Sequence, residues 1–152
     1  MDQNERAIAK IRTHHAALLQ GLRERCEGLL GAAAAGGATQ EPQGELLMYL
    51  NGEIVPHAEA EEATIYKRGL EVPELVLLIQ AMVAEHERLR SLTGALRAAR
   101  PAVSAAALGL AITELFAVHA DKENDLLLPR LAREPGVSLH ELLGDMHAKL
   151  DG

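Results

Sequence analysis

Two short stretches of this sequence repeat one pattern: His-Ala-Glu-Ala-Glu at residues 57–61 and His-Ala-Asp-Lys-Glu at residues 119–123. In both, a glutamate follows a histidine after four residues, inside a longer helical pattern of apolar residues. A spacing of four places two side chains one helical turn apart on the same face, where an imidazole and a carboxylate can reach a common point. Two such pairs on two helices predict a metal site inside a helix bundle.

The composition indicates a helical protein. Of the 152 residues 48% are hydrophobic, but only two are tyrosine, one is phenylalanine and none is tryptophan. A core built from Ala, Leu, Ile and Val favours close-packed helices over strands. No long Pro/Ser-rich linker divides the chain, so we expect one domain over residues 1–152, with its core at about 5–130 and a C-terminal extension at 131–152.

Apolar spacing and helix-ending residues predict four long helices and one short one. The long helices are predicted at about residues 4–30, 45–67, 73–100 and 103–128, and the short one begins at Ser138. Helices of similar length with mostly short loops predict an all-α, up-down-up-down four-helix bundle with a short C-terminal helix. Pro56 lacks a backbone N–H and is expected to kink or break the second helix immediately before His57.

The charge balance and the N-terminus argue against several classes of partner. The net charge is -7, from 22 acidic and 15 basic residues without a basic cluster, so nucleic acid or an anionic membrane is not an expected partner. The charged start at residues 1–5 argues against a signal peptide, and no apolar run approaches the roughly 20 residues of a membrane span. A single cysteine, Cys26, cannot form an internal disulfide, and we expect a cytoplasmic location.

Six polar side chains fall on the apolar stripes of the predicted helices when about 100° is counted per residue. They are His15, His57, Glu61, His86, His119 and Glu123. A single inward histidine is more often a hydrogen-bonded core residue, and a single His-x-x-x-Glu pair is commonly exposed. Helices that alternate in direction bring all six to a similar height, however, and buried carboxylates without cationic partners are costly unless they bind metal. The set is therefore predicted to be a metal site.

The ligand types narrow the choice of metal. Four imidazoles and two carboxylates suit iron, manganese or zinc and suit calcium poorly. Because a carboxylate has two oxygens and can bridge neighbouring cations, the two glutamates suggest two metals. Six protein ligands cannot saturate two octahedral ions, so positions should remain for solvent or a small molecule.

Three further residues are candidates for the surroundings of the metals: His14, Tyr49 and Glu62. His14 is expected at the edge of the core, and Glu62 should mostly face solvent. Tyr49 approaches the site only if the kink at the proline turns it inward. Tyr66 is expected on the side of the helix opposite His57.

Four motifs, in this order, resemble hemerythrin-like proteins of the HHE cation-binding family. They are Thr-His-His-Ala-Ala-Leu at 13–18, Val-Pro-His-Ala-Glu-Ala-Glu-Glu at 55–62, Ala-Glu-His-Glu-Arg-Leu at 84–89, and His-Ala-Asp-Lys-Glu at 119–123. The resemblance covers about residues 5–130 and implies a four-helix bundle around a non-haem di-iron centre, with an oxo or hydroxo bridge between the irons as one form. It assigns His15, His57, His86 and His119 as terminal ligands, and Glu61 and Glu123 as bridges.

The motifs depart from those of the oxygen-carrying hemerythrins at two positions. Those proteins have two histidines four residues apart on the third helix, whereas Met82 and Arg90 flank His86 at this distance. They also use an aspartate five residues after the fourth-helix histidine, where this chain has Glu123 after four. One iron is thus expected to lack a histidine, which disfavours reversible oxygen carriage.

Three functions remain open at this point. The first is a di-iron protein that binds O2, NO or peroxide for sensing or storage. The second is a di-iron enzyme that decomposes hydrogen peroxide, and the third is an iron-handling protein. The sequence assigns a small-molecule partner in the first two cases, and it assigns neither catalytic residues nor an oligomeric state.

Overall fold

The computed structural model describes residues 1–152 as five helices without strands. The helices are α1 (Gln3–Ala34), α2 (40–69), α3 (Val76–Arg97), α4 (Ala102–Leu131) and α5 (Leu139–Asp151). A short 3-10 turn, Pro73–Leu75, leads into α3. The prediction of an all-helical bundle is confirmed. Helices α1, α2 and α4 run a few residues beyond their predicted bounds, whereas α3 is shorter than predicted at both ends.

Contacts between helix ends show how the long helices run. The side chain of Asn4, at the start of α1, donates to the carbonyl of Ala132, just after α4. At the other end of the bundle, the side chain of Gln43 in the first turn of α2 donates to the carbonyl of Leu96 near the end of α3, at 2.6 Å. The start of α1 therefore lies beside the end of α4, and the start of α2 beside the end of α3.

The short helix α5 is part of the core. It begins at the N-cap Ser138, whose hydroxyl accepts a hydrogen bond from the backbone N–H of Glu141. Its buried residues Leu139, Leu143 and Met146 join an apolar cluster with residues of α1 to α4. The sequence pattern predicted this helix, and the structure shows that it packs against α1 and α2.

The apolar core consists of two clusters, and between them the middle of each long helix contributes polar instead of apolar side chains. One cluster includes Ile11 of α1 and Met82 of α3, and the other includes Leu18 and Leu89 of the same two helices. The residues between them on α1, α2, α3 and α4 are the histidines and glutamates of the predicted site. The packing thus holds a polar layer between two apolar layers.

Three π turns interrupt the two helices that carry His-x-x-x-Glu pairs: Leu50–Ile54 and Glu62–Tyr66 in α2, and Glu123–Leu127 in α4. Two of them end shortly before Pro56 and Pro129, and a proline crowds the carbonyl of the preceding turn. Widening that turn lets the helix continue, because the N–H of Val55 donates to Leu50 five residues back. Of the kink or break expected before His57, the break is therefore wrong, because α2 continues through Pro56 with a π turn just before it. Helix α4 likewise runs through Pro129 to Leu131.

Helix α4 is long and apolar enough, by length and composition, to cross a membrane, with a mean hydropathy of 1.6 over 18 residues. The sequence-based statement that no segment approaches a membrane span is wrong for this helix. Its buried face carries His119 and Glu123 and packs in the core of the bundle. The core helix of a soluble protein passes the same test, so this property is weak support for a membrane location.

Candidate metal centre

The six predicted ligands meet in the polar layer. Each is only 2–4% exposed. They form two groups of four, in each of which donor atoms from all four side chains lie within 4.8 Å of one another. The first group is His15, His57, Glu61 and Glu123, and the second is Glu61, His86, His119 and Glu123. Both glutamates belong to both groups, which is the arrangement that two bridged metals require.

The Nε2 atoms of all four histidines face the two carboxylates. His15 Nε2 lies 3.2 Å from an oxygen of Glu61 and 3.2 Å from an oxygen of Glu123. The corresponding distances are 2.7 Å from His57 and 3.4 Å from His86 to Glu61, and 3.3 Å from His119 to Glu123. Imidazole nitrogens and carboxylate oxygens therefore converge on the same small volume.

Several of these atoms have no hydrogen-bond partner within the protein. Both ring nitrogens of His57 and the Oε2 atom of Glu61 are buried and unpaired, because the short His57–Glu61 approach lacks hydrogen-bond geometry. No lysine or arginine forms an ion pair with Glu61 or Glu123. Orphaned buried polar atoms are rare in folded proteins, and buried charges are paired or coordinate metal. The donor set and its orphaned atoms fit metal ions.

The carboxylates and imidazoles also shift each other's protonation. Burial alone lowers the pKa of His15, but the carboxylates of Glu61 and Glu123 outweigh it and raise the pKa to about 9. Burial favours the protonated form of Glu61, yet its neighbours, His57 first and then His15, hold its pKa well below its usual range. Since a histidine must be neutral to bind metal, a metal ion has to displace protons here.

Outer hydrogen bonds orient three of the four histidines. Their Nδ1 atoms lie 2.7–2.9 Å from side-chain oxygens that can only accept, so Nδ1 carries the proton in each. The pairs are His15 with Asn124, His86 with Glu62, and His119 with Glu85. In the neutral imidazole, this proton position leaves Nε2 free to bind metal.

Each outer glutamate also holds a cation. Glu62 accepts from Arg90 at 2.9 Å, and Glu85 accepts from Lys122. Glu62 was expected mostly to face solvent, although it was also a candidate for the surroundings of the metals. The structure shows it hydrogen-bonded to His86 of the cluster. Glu85 was missed, although it directly precedes His86 and points across to α4.

Tyr66 is the functional candidate that the sequence pattern misplaced. Its hydroxyl is buried, donates to Glu123 and lies 2.9 Å from His119 Nε2. Burial and the two glutamates raise the pKa of Tyr66 well above its usual value, so the hydroxyl keeps its proton in the metal-free protein. The expected position opposite His57 is wrong because the π turn Glu62–Tyr66 adds a residue and rotates Tyr66 to the inner face.

Tyr49, which was named as a candidate, lies elsewhere. Its hydroxyl donates to the carbonyl of Leu18, and the guanidinium of Arg25 lies 4.1 Å from the centre of its ring. At about 1.5 Å per residue, it is about 12 Å along the helix from His57. The structure therefore removes Tyr49 from the surroundings of the cluster, and Tyr66 is the tyrosine that lies there.

His14 lies at the edge of the cluster, as expected from the stripe of α1. Its ring centre is 5.0 Å from that of His57. Burial, followed by the nearby His57 and His15, lowers the pKa of His14 to about 4. A neutral, solvent-exposed imidazole thus stands beside His57, outside both groups of four donors.

A comparison with protein families identifies this arrangement. The model of the hemerythrin HHE cation binding domain matches residues 6–131 of the 152. The chain belongs to the hemerythrin HHE family. No curated protein and no solved structure matches the chain. Family membership and the two His/Glu groups together indicate cation binding, and the match spans the four helices that carry the six residues.

The two adjacent histidines of this hemerythrin domain give a direct test of the ligand set. We expect His15→Ala to lose the metal of the first group, about half of the total, and His14→Ala to retain both metals, because His15 is a donor of that group and His14 belongs to neither. Elemental analysis after identical dialysis measures the difference, and each variant serves as the control of the other. Equal loss in both variants would show that the wrong member of the pair has been chosen.

The stability of the metal-free hemerythrin domain is expected to fall as the pH rises from about 6.5 to 9. The pKa of His15 is raised on folding, so its stabilising contribution is complete below the unfolded value and is lost through about 9. A shift of this size contributes on the order of 3 kcal/mol at most. Urea unfolding of the metal-free protein across this range measures the decline, and His15→Gln should flatten it. A free energy of unfolding that rises over this range would contradict the prediction.

Proposed function

We propose that this chain is a non-haem di-iron protein whose site of four histidines and two glutamates binds a small molecule, such as O2, NO or peroxide, for sensing or storage. The observation that carries the proposal is that Glu61 and Glu123 belong to both groups of donors. The proposal takes α1 to α4 as an up-down-up-down four-helix bundle, which the contacts between their ends support. Iron is chosen over manganese or zinc because of the family resemblance.

The number of donors supports a ligand-binding site. Each group has four protein residues, and octahedral coordination needs about six donors, so positions remain even when Tyr66 is added to the second group. When bound, the two irons supply an exchangeable coordination position and a change of oxidation state. The chain excludes bulk water from this position, because the six residues are buried between two apolar clusters.

A second candidate function is the decomposition of hydrogen peroxide, and Tyr66 is the observation that favours it. Its hydroxyl keeps a proton within hydrogen-bond distance of the donors of the second group. Two molecules of hydrogen peroxide give two of water and one of dioxygen, so this reaction needs no external reductant. Protons have to move between the oxygens during it, and a buried hydroxyl is suited to give one and take one back.

One experiment separates the two functions. The visible spectrum of the reduced, iron-loaded protein is followed with oxygen, and then dioxygen evolution is followed with hydrogen peroxide. A spectrum that changes with oxygen and reverses on its removal supports binding, whereas steady oxygen evolution supports catalysis. No response to either would contradict both and leave iron handling as the function.

Tyr66→Phe and Tyr49→Phe are the matched variants for this experiment. Both remove one phenol oxygen, but only Tyr66 lies at the cluster. If Tyr66 gives the proton, Tyr66→Phe should lower oxygen evolution by about 10²-fold or more, whereas Tyr49→Phe should leave it unchanged. Equal activity in both variants would exclude Tyr66 from proton transfer.

A further inference from the structure

The two groups of donors differ in what lies behind their histidines. Both groups have two histidines and share the same two glutamates. The side chains that accept hydrogen bonds from the Nδ1 atoms of these histidines are different, however, and such outer partners change metal affinity by about 10- to 100-fold each.

In the second group, each histidine is backed by a carboxylate. His86 Nδ1 donates to Glu62 at 2.8 Å, and His119 Nδ1 donates to Glu85 at 2.7 Å. A carboxylate that accepts from Nδ1–H makes the opposite nitrogen more basic and fixes the plane of the ring. Both histidines of this group are therefore held in one orientation, with their metal-binding nitrogens enriched in electron density.

In the first group, the support is weaker. His15 Nδ1 donates to the neutral amide oxygen of Asn124 at 2.9 Å. His57 Nδ1 is buried and has no partner. A neutral acceptor polarises an imidazole less than a carboxylate does, and a ring without a partner at Nδ1 has no outer hydrogen bond to fix its orientation.

Tyr66 adds to this difference. Its hydroxyl lies beside His119 and Glu123, so a further oxygen is present on the side of the second group. The first group has the solvent-exposed His14 as its neighbour, next to His57. The second group of donors is thus surrounded by more polar atoms than the first group.

We propose that the two metal positions are unequal: the metal between His86 and His119 is held tightly, and the metal between His15 and His57 is the exchangeable one. This inference rests on the proposed di-metal function. It follows from Glu62 and Glu85 acting as positioning residues, and it expects the two affinities to differ by at least about tenfold.

The test is the release of iron from the full-length, iron-loaded protein into an excess of chelator, followed as iron per chain against time. Two phases of equal size are expected, with the second at least about tenfold slower. His57→Ala should keep only the slow phase, whereas His86→Ala should have no slow phase. A single phase that releases both irons would overturn the inequality, whereas protein that holds no iron would contradict the proposed function instead.

Charge-neutral variants test the assigned cause. Glu62→Gln and Glu85→Gln should each speed the slow phase by about 10- to 100-fold and leave the fast phase nearly unchanged. Glu59→Gln and Glu87→Gln are the controls, because these glutamates lie on the same two helices and neither bonds to a histidine of the cluster. If all four variants release iron like the wild type, the outer glutamates do not create the difference.

A gain-of-affinity variant gives a result that structural damage cannot imitate. Asn124→Asp places a carboxylate behind His15, as the second group already has behind its histidines. We expect the fast phase to slow by about tenfold while the slow phase changes little. A fast phase that stays the same or becomes faster would overturn the explanation based on outer carboxylates.

Discussion

Glu61→Ala is expected to remove both metals from the chain rather than one. Glu61 contributes an oxygen to each group of donors, and its carboxylate lies close to three of the histidines. Without it, each position keeps three protein donors, and the neighbouring imidazoles lose the anion that offsets a cationic metal. The metal affinity of both positions should fall by more than the roughly 10- to 100-fold effect of losing an outer partner, so little iron should remain after dialysis.

Two other variants on α2 are controls for the loss of iron expected in Glu61→Ala. His57→Ala removes a ligand of the first group alone and should keep about one iron per chain, while Glu59→Ala removes an exposed carboxylate and should keep both. Glu123→Ala should behave like Glu61→Ala. Far-ultraviolet circular dichroism checks that the helices are intact. Half-loading of both glutamate variants would show that the carboxylates are not shared.

Removal of the metal is expected to produce the largest change in stability. The metal-free core contains two carboxylates and four imidazoles that are almost fully buried, three atoms of which lack partners. At a thousandfold excess over the dissociation constant, each bound metal adds about 4 kcal/mol to the free energy of unfolding. Two metals together should therefore raise the melting temperature by roughly 20 °C in a chain of this length.

Thermal unfolding with and without a chelator measures this difference. The Glu61→Ala variant is the control, because its melting temperature should respond little to the chelator when no metal is bound. A wild-type melting temperature that does not change on metal removal would mean that the polar layer is stable without metal. The His/Glu cluster would then be a hydrogen-bonded core and not a metal centre.

The six central residues could be predicted because five of them lie in regular α-helix and the sixth, Glu123, is the first residue of a π turn, before the phase of the helix has changed. His57 and Glu61 stand four residues apart within the regular segment Val55–Glu61, and the histidines of α1 and α3 lie on unbroken stripes. A count of about 100° per residue is accurate over such segments. The relative heights of the helices followed from their lengths and short loops.

The positions of Tyr49 and Tyr66 could not be predicted in this way, because π turns change the phase of the helix. The turn Glu62–Tyr66 moves Tyr66 from the far side of α2 to the side of the cluster. Prolines 56 and 129 were the visible signals that α2 and α4 needed wider turns, but they were taken to indicate a break or an end. A π turn next to a ligand is a reason to test each polar residue up to one turn beyond it.

The outer partners depend on contacts between helices, which a pattern along one helix does not contain. Glu85 bonds to His119 of the neighbouring helix and also holds Lys122. In the sequence these are three charged or polar residues on two separate helices, and many such residues simply face solvent. Asn124 was missed for the same reason, since its partner His15 is on α1.

The most direct test of the central claim is the iron content of the purified full-length protein after expression in iron-replete medium. Two groups of donors that share Glu61 and Glu123 predict about two irons per chain. Protein that contains no bound transition metal would contradict the assignment of the His/Glu cluster as a metal centre, and one iron per chain would contradict the sharing of Glu61 and Glu123.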